Sequence, residues 1–430
     1  MAHSEKTVYP RIGEEVIWTT LDNGLPVCVV PKKDYLRKYA LFATRYGGMD
    51  MRFQLNGQWL DTPAGIAHYL EHKMFDTPDG GNALQTLSAT GASPNAFTST
   101  AITGYHFECT DQFWENLKTL LTFVSVPYFT KESVEKEQGI IGQEIRMIED
   151  QPGWQAYHLL LEAMYQHHPV RNSVAGSVES ISHITAETLY HCHEAFYTPS
   201  NMVLCVAGNV DPEMVCQMAR DILPQEKKPP IPRDCGAQES QQVFRQEDSR
   251  TMAVSAPLLQ MGIKGTAAPD GPSQIRQRLL GELACEILVG SSSPLYNRLY
   301  EAGLINSGFY CGYLDYPGCA FLMAGGESQH PEQVRDAILQ EGARLAREGV
   351  DEALFQRLKK ASYGAYVRSL NSFENLCVEQ AQGYFAGGDP WTFPELYDTM
   401  ERQDVEAFLA QWVKPEQTSL VVIRPQEERS

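Results

Sequence analysis

The chain has 430 residues, 43% of them hydrophobic, and a formal charge of -19. That apolar share rules out a disordered chain and suffices for two or three domains. The acidic balance lacks the basic face that nucleic-acid binding needs.

The start, MAHSEKTVYPRIGEEVIW, has no apolar signal core, and no run is apolar enough to span a bilayer. The ten cysteines are scattered without a CxxC pair. The expectation is a cytoplasmic protein with reduced thiols and no membrane partner.

In chain order, LPVCVVPK (25–32) and YALFATRYGG (39–48) read as strands. A helix with DTPAG before it and FDTPDGG after it carries GIAHYLEHKMF (65–75). NAFTSTAITGYHFEC (95–109) alternates as a strand or hairpin. Helical periods follow at about 111–124, 131–149 and 185–196, then the strand MVLCVAG (202–208). The stretch 223–240, LPQEKKPPIPRDCGAQES, has the proline-rich, charged composition of an exposed linker. Beyond it, TMAVSAPLL (251–259), SGFYCGYL (307–314) and CAFLMAGG (319–326) read as strands, and 272–289, 331–348 and 351–384 as helices. Both halves close alike: a helix with aromatic residues near its end, a proline (Pro199 or Pro415), then a β-branched run. This predicts a duplicated α+β fold, each half (1–222 and 241–430) a mostly antiparallel sheet flanked by helices.

His68 and His72, four apart on a helix, can aim two imidazoles at one point, with Glu71 flanking the same face. Two histidines on a helix face are also common without a metal. Catalytic zinc takes three protein ligands and keeps a fourth position open, so a third must be found. KESVEKEQGIIGQEIRMIED (131–150) reads as an amphipathic helix with Ile140, Ile141, Ile145 and Ile148 inward. Glu137 and Glu144, two turns apart on it, can supply one ligand and one carboxylate that orients a ligand. A solvated acidic face is the plain alternative.

PAGIAHYLEHKMF, ASPNAFTSTAITGYHF, EKEQGIIGQEI and SVAGSVESISHITAETLYHCHEAFYTPSNMVLCVAGNVD together resemble the pitrilysin and insulysin superfamily. The length resembles its small bacterial members and the processing peptidases. In the second half the likeness is weaker and rests on SSSPLYNRLYEAGLI. The resemblance implies two homologous domains enclosing a chamber, the first (1–222) catalytic and the second (241–430) not. It implies one Zn2+ per chain on His68, His72 and Glu144, with Glu71 as general base and Glu137 in support. It implies substrate bound along a strand edge at Asn95, Ala96 and Phe97. The arginine-tyrosine pair with which relatives grip substrate is missing from NRLYEAGLINSGFY, where Arg298 is out of register. That implies a heterodimer with a paralogous inactive subunit, or else a homodimer. The expected activity is a zinc endopeptidase on peptides or precursors. The rivals are a non-catalytic or partner-dependent subunit and a metal hydrolase of small amides. HCH (191–193) points its histidines to different faces, and His167-His168 reads as polar loop.

Overall fold

The computed structural model describes residues 3–426. First come β1 (His3–Tyr9), β2 (Glu14–Thr20), β3 (Pro26–Pro31), β4 (Lys38–Thr44), β5 (Arg52–Leu55) and β6 (Gln58–Asp61). Helices α1 (Ile66–Lys73) and α2 (Ala83–Ala89) precede the hairpin β7 (Ser93–Thr98) and β8 (Thr103–Cys109). Then follow α3 (Phe113–Ser125), α4 (Lys131–Glu149), α5 (Pro152–Met164), α6 (Val178–Ile181), α7 (Ala186–Phe196), β9 (Met202–Gly208) and α8 (Pro212–Ile222). The remainder holds β10 (Glu247–Met252), β11 (Leu258–Gly265), α9 (Pro272–Val289), α10 (Pro294–Glu301), β12 (Tyr310–Tyr316) and β13 (Cys319–Glu327). It ends with α11 (Pro331–Glu348), α12 (Glu352–Ser369), α13 (Phe373–Phe385), α14 (Phe393–Thr399), α15 (Arg402–Trp412) and β14 (Thr418–Pro425).

The larger sheet has the order β1-β2-β3-β9-β4-β8-β7 and the smaller β10-β14-β11-β13-β12; β5 and β6 pair alone. Taken from β3, the first sheet repeats the second strand for strand. In both, the first and last strands pair in parallel, β3 with β9 and β10 with β14. The remaining pairs are antiparallel. One α+β plan is therefore used twice, and the first copy adds β1 and β2 at its edge. Strand β9 is buried at all seven positions, which explains its unbroken apolar run: both faces of a central strand are covered.

The compact units cut across the two sequence halves. One comprises 1–145, 173–235 and 367–391, the other 146–172, 236–366 and 392–430. The cause is a pair of helices. α5 packs on β10, β11 and β14, and α13 packs on β4 and β9. The apolar face of α5 includes Leu159, Leu160 and Met164. Gly262 on β11 admits it, since a Cβ there would stand 2.5 Å from Met164 Sδ.

The stretch 223–240 is mostly exposed and is tethered at points: Gln54 N–H donates to the Pro232 carbonyl and Asp234 N–H to the Arg52 carbonyl. Arg233 donates to the buried Asp50 carboxylate at 3.0 Å. The helix expected over 351–384 is two, because Ser372 caps α13 by accepting from Asn375 N–H, a competition with helix continuation that serine favours. The run 251–259 straddles β10 and β11.

Candidate metal centre

Helix α1 begins at Gly65, whose φ of +93° suits glycine; a Cβ there would also lie 2.6 Å from the Ala175 carbonyl oxygen. Ile66, Ala67, Tyr69 and Leu70 are buried. His68 and His72 remain partly exposed, one turn apart with ring centroids 4.6 Å from each other. On α4, Val134, Ile141 and Ile145 are buried. Ile140, expected inside, is 51% exposed.

The two helices meet through polar atoms. His68 Nε2 lies 3.5 Å from Glu144 Oε1, and His72 Nε2 lies 3.5 Å from Glu144 Oε2. His72 Nδ1 bonds Glu137 Oε1 at 3.1 Å. One ligand atom from each of His68, His72 and Glu144 falls within 4.8 Å of the others. Ligand atoms around a tetrahedral zinc, with bonds of about 2.0–2.1 Å, stand about 3.4 Å apart. The nitrogen-to-carboxylate separations match that spacing and are long for direct hydrogen bonds. The residues therefore fit a zinc ion. Glu137 on His72 Nδ1 is the kind of outer carboxylate that fixes a ligating imidazole's tautomer and aim.

Glu71 is 8% exposed. Thr98, at the end of β7, donates to its Oε2 at 2.6 Å. Burial pushes the Glu71 carboxyl up; the Thr98 bond and both imidazoles pull it partly back. Burial pulls His72 down, but the Glu137 bond and the charges of Glu71, Glu144 and Glu137 outweigh it and leave it raised. Glu137 is lowered, first by His72, and Glu144 is lowered, first by His68. The site thus pairs ionised carboxylates with one buried carboxyl of greater proton affinity.

Asn95, Ala96 and Phe97 lie on β7, the outermost strand of its sheet. The Ala96 N–H is taken by the Asn95 side chain at 2.9 Å. The Phe97 ring packs against Gly104, on the face of β7 opposite Thr98. Its backbone alone belongs to the edge. Glu71, His72, Glu137, Asn95, Ala96 and Ile140 share a cleft of about 600 Å³.

Elsewhere, His193 is buried and bonds the Val124 carbonyl at 3.1 Å. Burial pulls its pKa down to about 4. His168, expected as polar loop, is buried, caps a short 3-10 turn and bonds the Pro317 carbonyl. Arg298 donates to Glu341 at 2.8 Å. Sequence reasoning missed Thr98, Tyr69 and Lys73. Thr98 lies inside the hairpin stretch 95–109, where no spacing marks it. Lys73 was hidden because a lysine beside a site motif reads as exposed.

The first part of the chain, residues 57–178, matches the family "Insulinase (Peptidase family M16)", and residues 183–362 match "Peptidase M16 inactive domain". The first match contains His68, Glu71, His72, Glu137 and Glu144; the second contains none of them. The chain is 36% identical over 427 residues to the "uncharacterized zinc protease YmfH" of Bacillus subtilis (strain 168), spanning 97% of this chain and 98% of that protein. It resembles the solved M16-like peptidase from Alicyclobacillus acidocaldarius with a TM-score of 0.91 at 33% identity, over 98% of this chain and 100% of that one. A protease from Helicobacter pylori shares the fold, with a TM-score of 0.81 at 19% identity over 96% and 100%. With the paired sheets and the histidine–glutamate cluster, these similarities establish that the chain belongs to peptidase family M16, in the pitrilysin superfamily.

Proposed function

We propose that the chain is a zinc endopeptidase that hydrolyses peptides or precursor polypeptides, with one Zn2+ held by His68, His72 and Glu144. The observation that carries this reading is the convergence of those three side chains, one ligand atom of each within 4.8 Å of the others, beside a buried Glu71. Zinc there would supply the Lewis acidity that activates water and polarises a peptide carbonyl. The chain's own groups do the rest. Glu137 accepts from His72 Nδ1 and so turns the Nε2 lone pair outward. Thr98 occupies Oε2 of Glu71, leaving Oε1 to take the proton of water and return it to the leaving amine. The open edge of β7 offers backbone pairing to an extended peptide, a mode with little demand on side chains.

Removing the metal tests this directly. A chelator should abolish cleavage of a peptide library, and one equivalent of Zn2+ should restore it. Cleavage that persists in chelator with no bound metal would overturn the assignment.

A partner chain is part of the same proposal: a paralogous inactive subunit, with a homodimer as the alternative. It rests on Arg298, whose guanidinium is engaged by Glu341 within its own unit. Full activity of the isolated monomer in size-exclusion fractions would contradict it. A cytoplasmic location also belongs here, supported by ten cysteines that are all free thiols.

A further inference from the structure

Lys73 follows a proposed ligand, His72, and is 1% exposed, among the largest fully buried side chains. A buried ammonium persists only where charge and hydrogen bonds compensate it. Its Nζ pairs with Asp76 just beyond α1 and donates to the Ser133 carbonyl at 3.2 Å, in the first turn of α4. One turn back on α1, the Tyr69 hydroxyl donates to the Val134 carbonyl. Lys73, Asp76 and Ser133 line the cleft beside His72 and Glu137, but Lys73 and Tyr69 make these bonds to α4 and not to the imidazoles. Both join the helix that carries the histidines to the helix that carries the glutamates.

The contacts run in order. Lys73 meets Ser133, His72 meets Glu137 and His68 meets Glu144, while the long Tyr69 side chain reaches back along α4 to Val134. α1 and α4 therefore pass antiparallel, tied at one end by the lysine and tyrosine, with Glu144 at the far end of the shared stretch. A metal site tolerates ligand distances only to about 0.2 Å. One residue of helical rise is about 1.5 Å. A slip of α4 along α1 by a small fraction of one residue thus takes the Glu144 carboxylate out of range. No covalent link sets that register between the two helices. The hydrogen bonds to Ser133 and Val134 are backbone contacts, so they hold the axis of α4 itself rather than a side chain able to swing.

We infer that Lys73 and Tyr69 are positioning residues for the metal centre: they clamp the start of α4 to α1 and set the distance from both histidines to Glu144. The inference rests on the zinc reading. A lysine chosen only for fold stability would predict something different, namely a lower melting temperature and an unchanged metal affinity in the folded protein.

The test is zinc affinity, measured by chelator competition on folded protein at 25 °C, for wild type, Lys73→Met and Tyr69→Phe. The clamp predicts affinity 10–100-fold weaker for Lys73→Met, the loss typical when an outer support of a metal site is removed. It predicts a smaller loss, at least threefold, for Tyr69→Phe, which keeps the ring and its packing. In metal-free Lys73→Met, backbone amides of 137–145 should exchange with solvent at least tenfold faster than in wild type. An affinity within twofold of wild type for Lys73→Met overturns the inference. Should that variant fail to fold, an affinity within twofold for Tyr69→Phe overturns it instead. If wild type itself binds no stoichiometric zinc, the zinc reading fails first and takes the clamp with it.

Discussion

The outer strands β7 and β12 hold the same place in two sheets of one order, yet their polar ties to the covering helix differ. At β7, a single hydroxyl on Thr98 reaches Glu71 of α1. At β12, Asp315 takes two bonds from Arg278 of α9, at 2.9 and 3.1 Å, and a third from Gln274 at 2.6 Å. The first arrangement leaves a buried carboxyl short of partners, with its proton affinity raised. The second saturates its carboxylate with a guanidinium and an amide, the fork geometry that makes such pairs strong. α9 carries no histidine and buries Leu279, Leu283, Ala284 and Ile287. The strand plan is shared, and the chemistry belongs to the side chains set on it.

The most severe way to break this contrast is to remove the under-satisfied carboxylate. Glu71→Gln should lower kcat about 10²–10⁴-fold, the usual share of a general base, while zinc content stays at wild-type level. Steady-state kinetics with metal analysis checks both. The opposite unit should respond in another currency. Asp315→Asn leaves Arg278 without its counter-charge in a partly buried setting. Unfolding free energy should fall by about 1–3 kcal/mol, read from denaturant midpoints. Zinc affinity and cleavage rate per folded chain should not change. A loss of zinc in Asp315→Asn would erase the division of labour between the two units.

Much of this was legible in the chain because the signals are local. Four-residue spacing put His68 and His72 on one face, and seven-residue spacing put Glu137 and Glu144 on one stripe. Helices over 131–149, 272–289 and 331–348 coincide with α4, α9 and α11. What stayed hidden depends on which surfaces meet. The packing of α5 on β14 and of α13 on β9 leaves no trace in local periodicity, so the unit boundaries could not be drawn from composition. Ile140 kept the helical period but faces the cleft, since a period marks a stripe and not what covers it. Arg233 reads as linker charge in sequence because its partner Asp50 lies far away along the chain and only the fold brings the two together.

The finest probe of the contrast is the single hydroxyl at the end of β7. Thr98→Val keeps shape and strand propensity but removes the donor to Glu71 Oε2. A hydrogen bond to a charged group is worth about 1.5–3 kcal/mol, and only the part that orients the carboxylate bears on rate. kcat should therefore fall about tenfold. KM should hold, because the hydroxyl points at Glu71 and not into the open edge of the strand. Zinc content should be unaffected, since Thr98 bonds neither imidazole. Thr98→Ser, which restores the oxygen without the methyl, should recover most of the rate. A rise in KM matching the fall in kcat, or no recovery with serine, would make Thr98 a packing residue and leave Glu71 positioned by α1 alone.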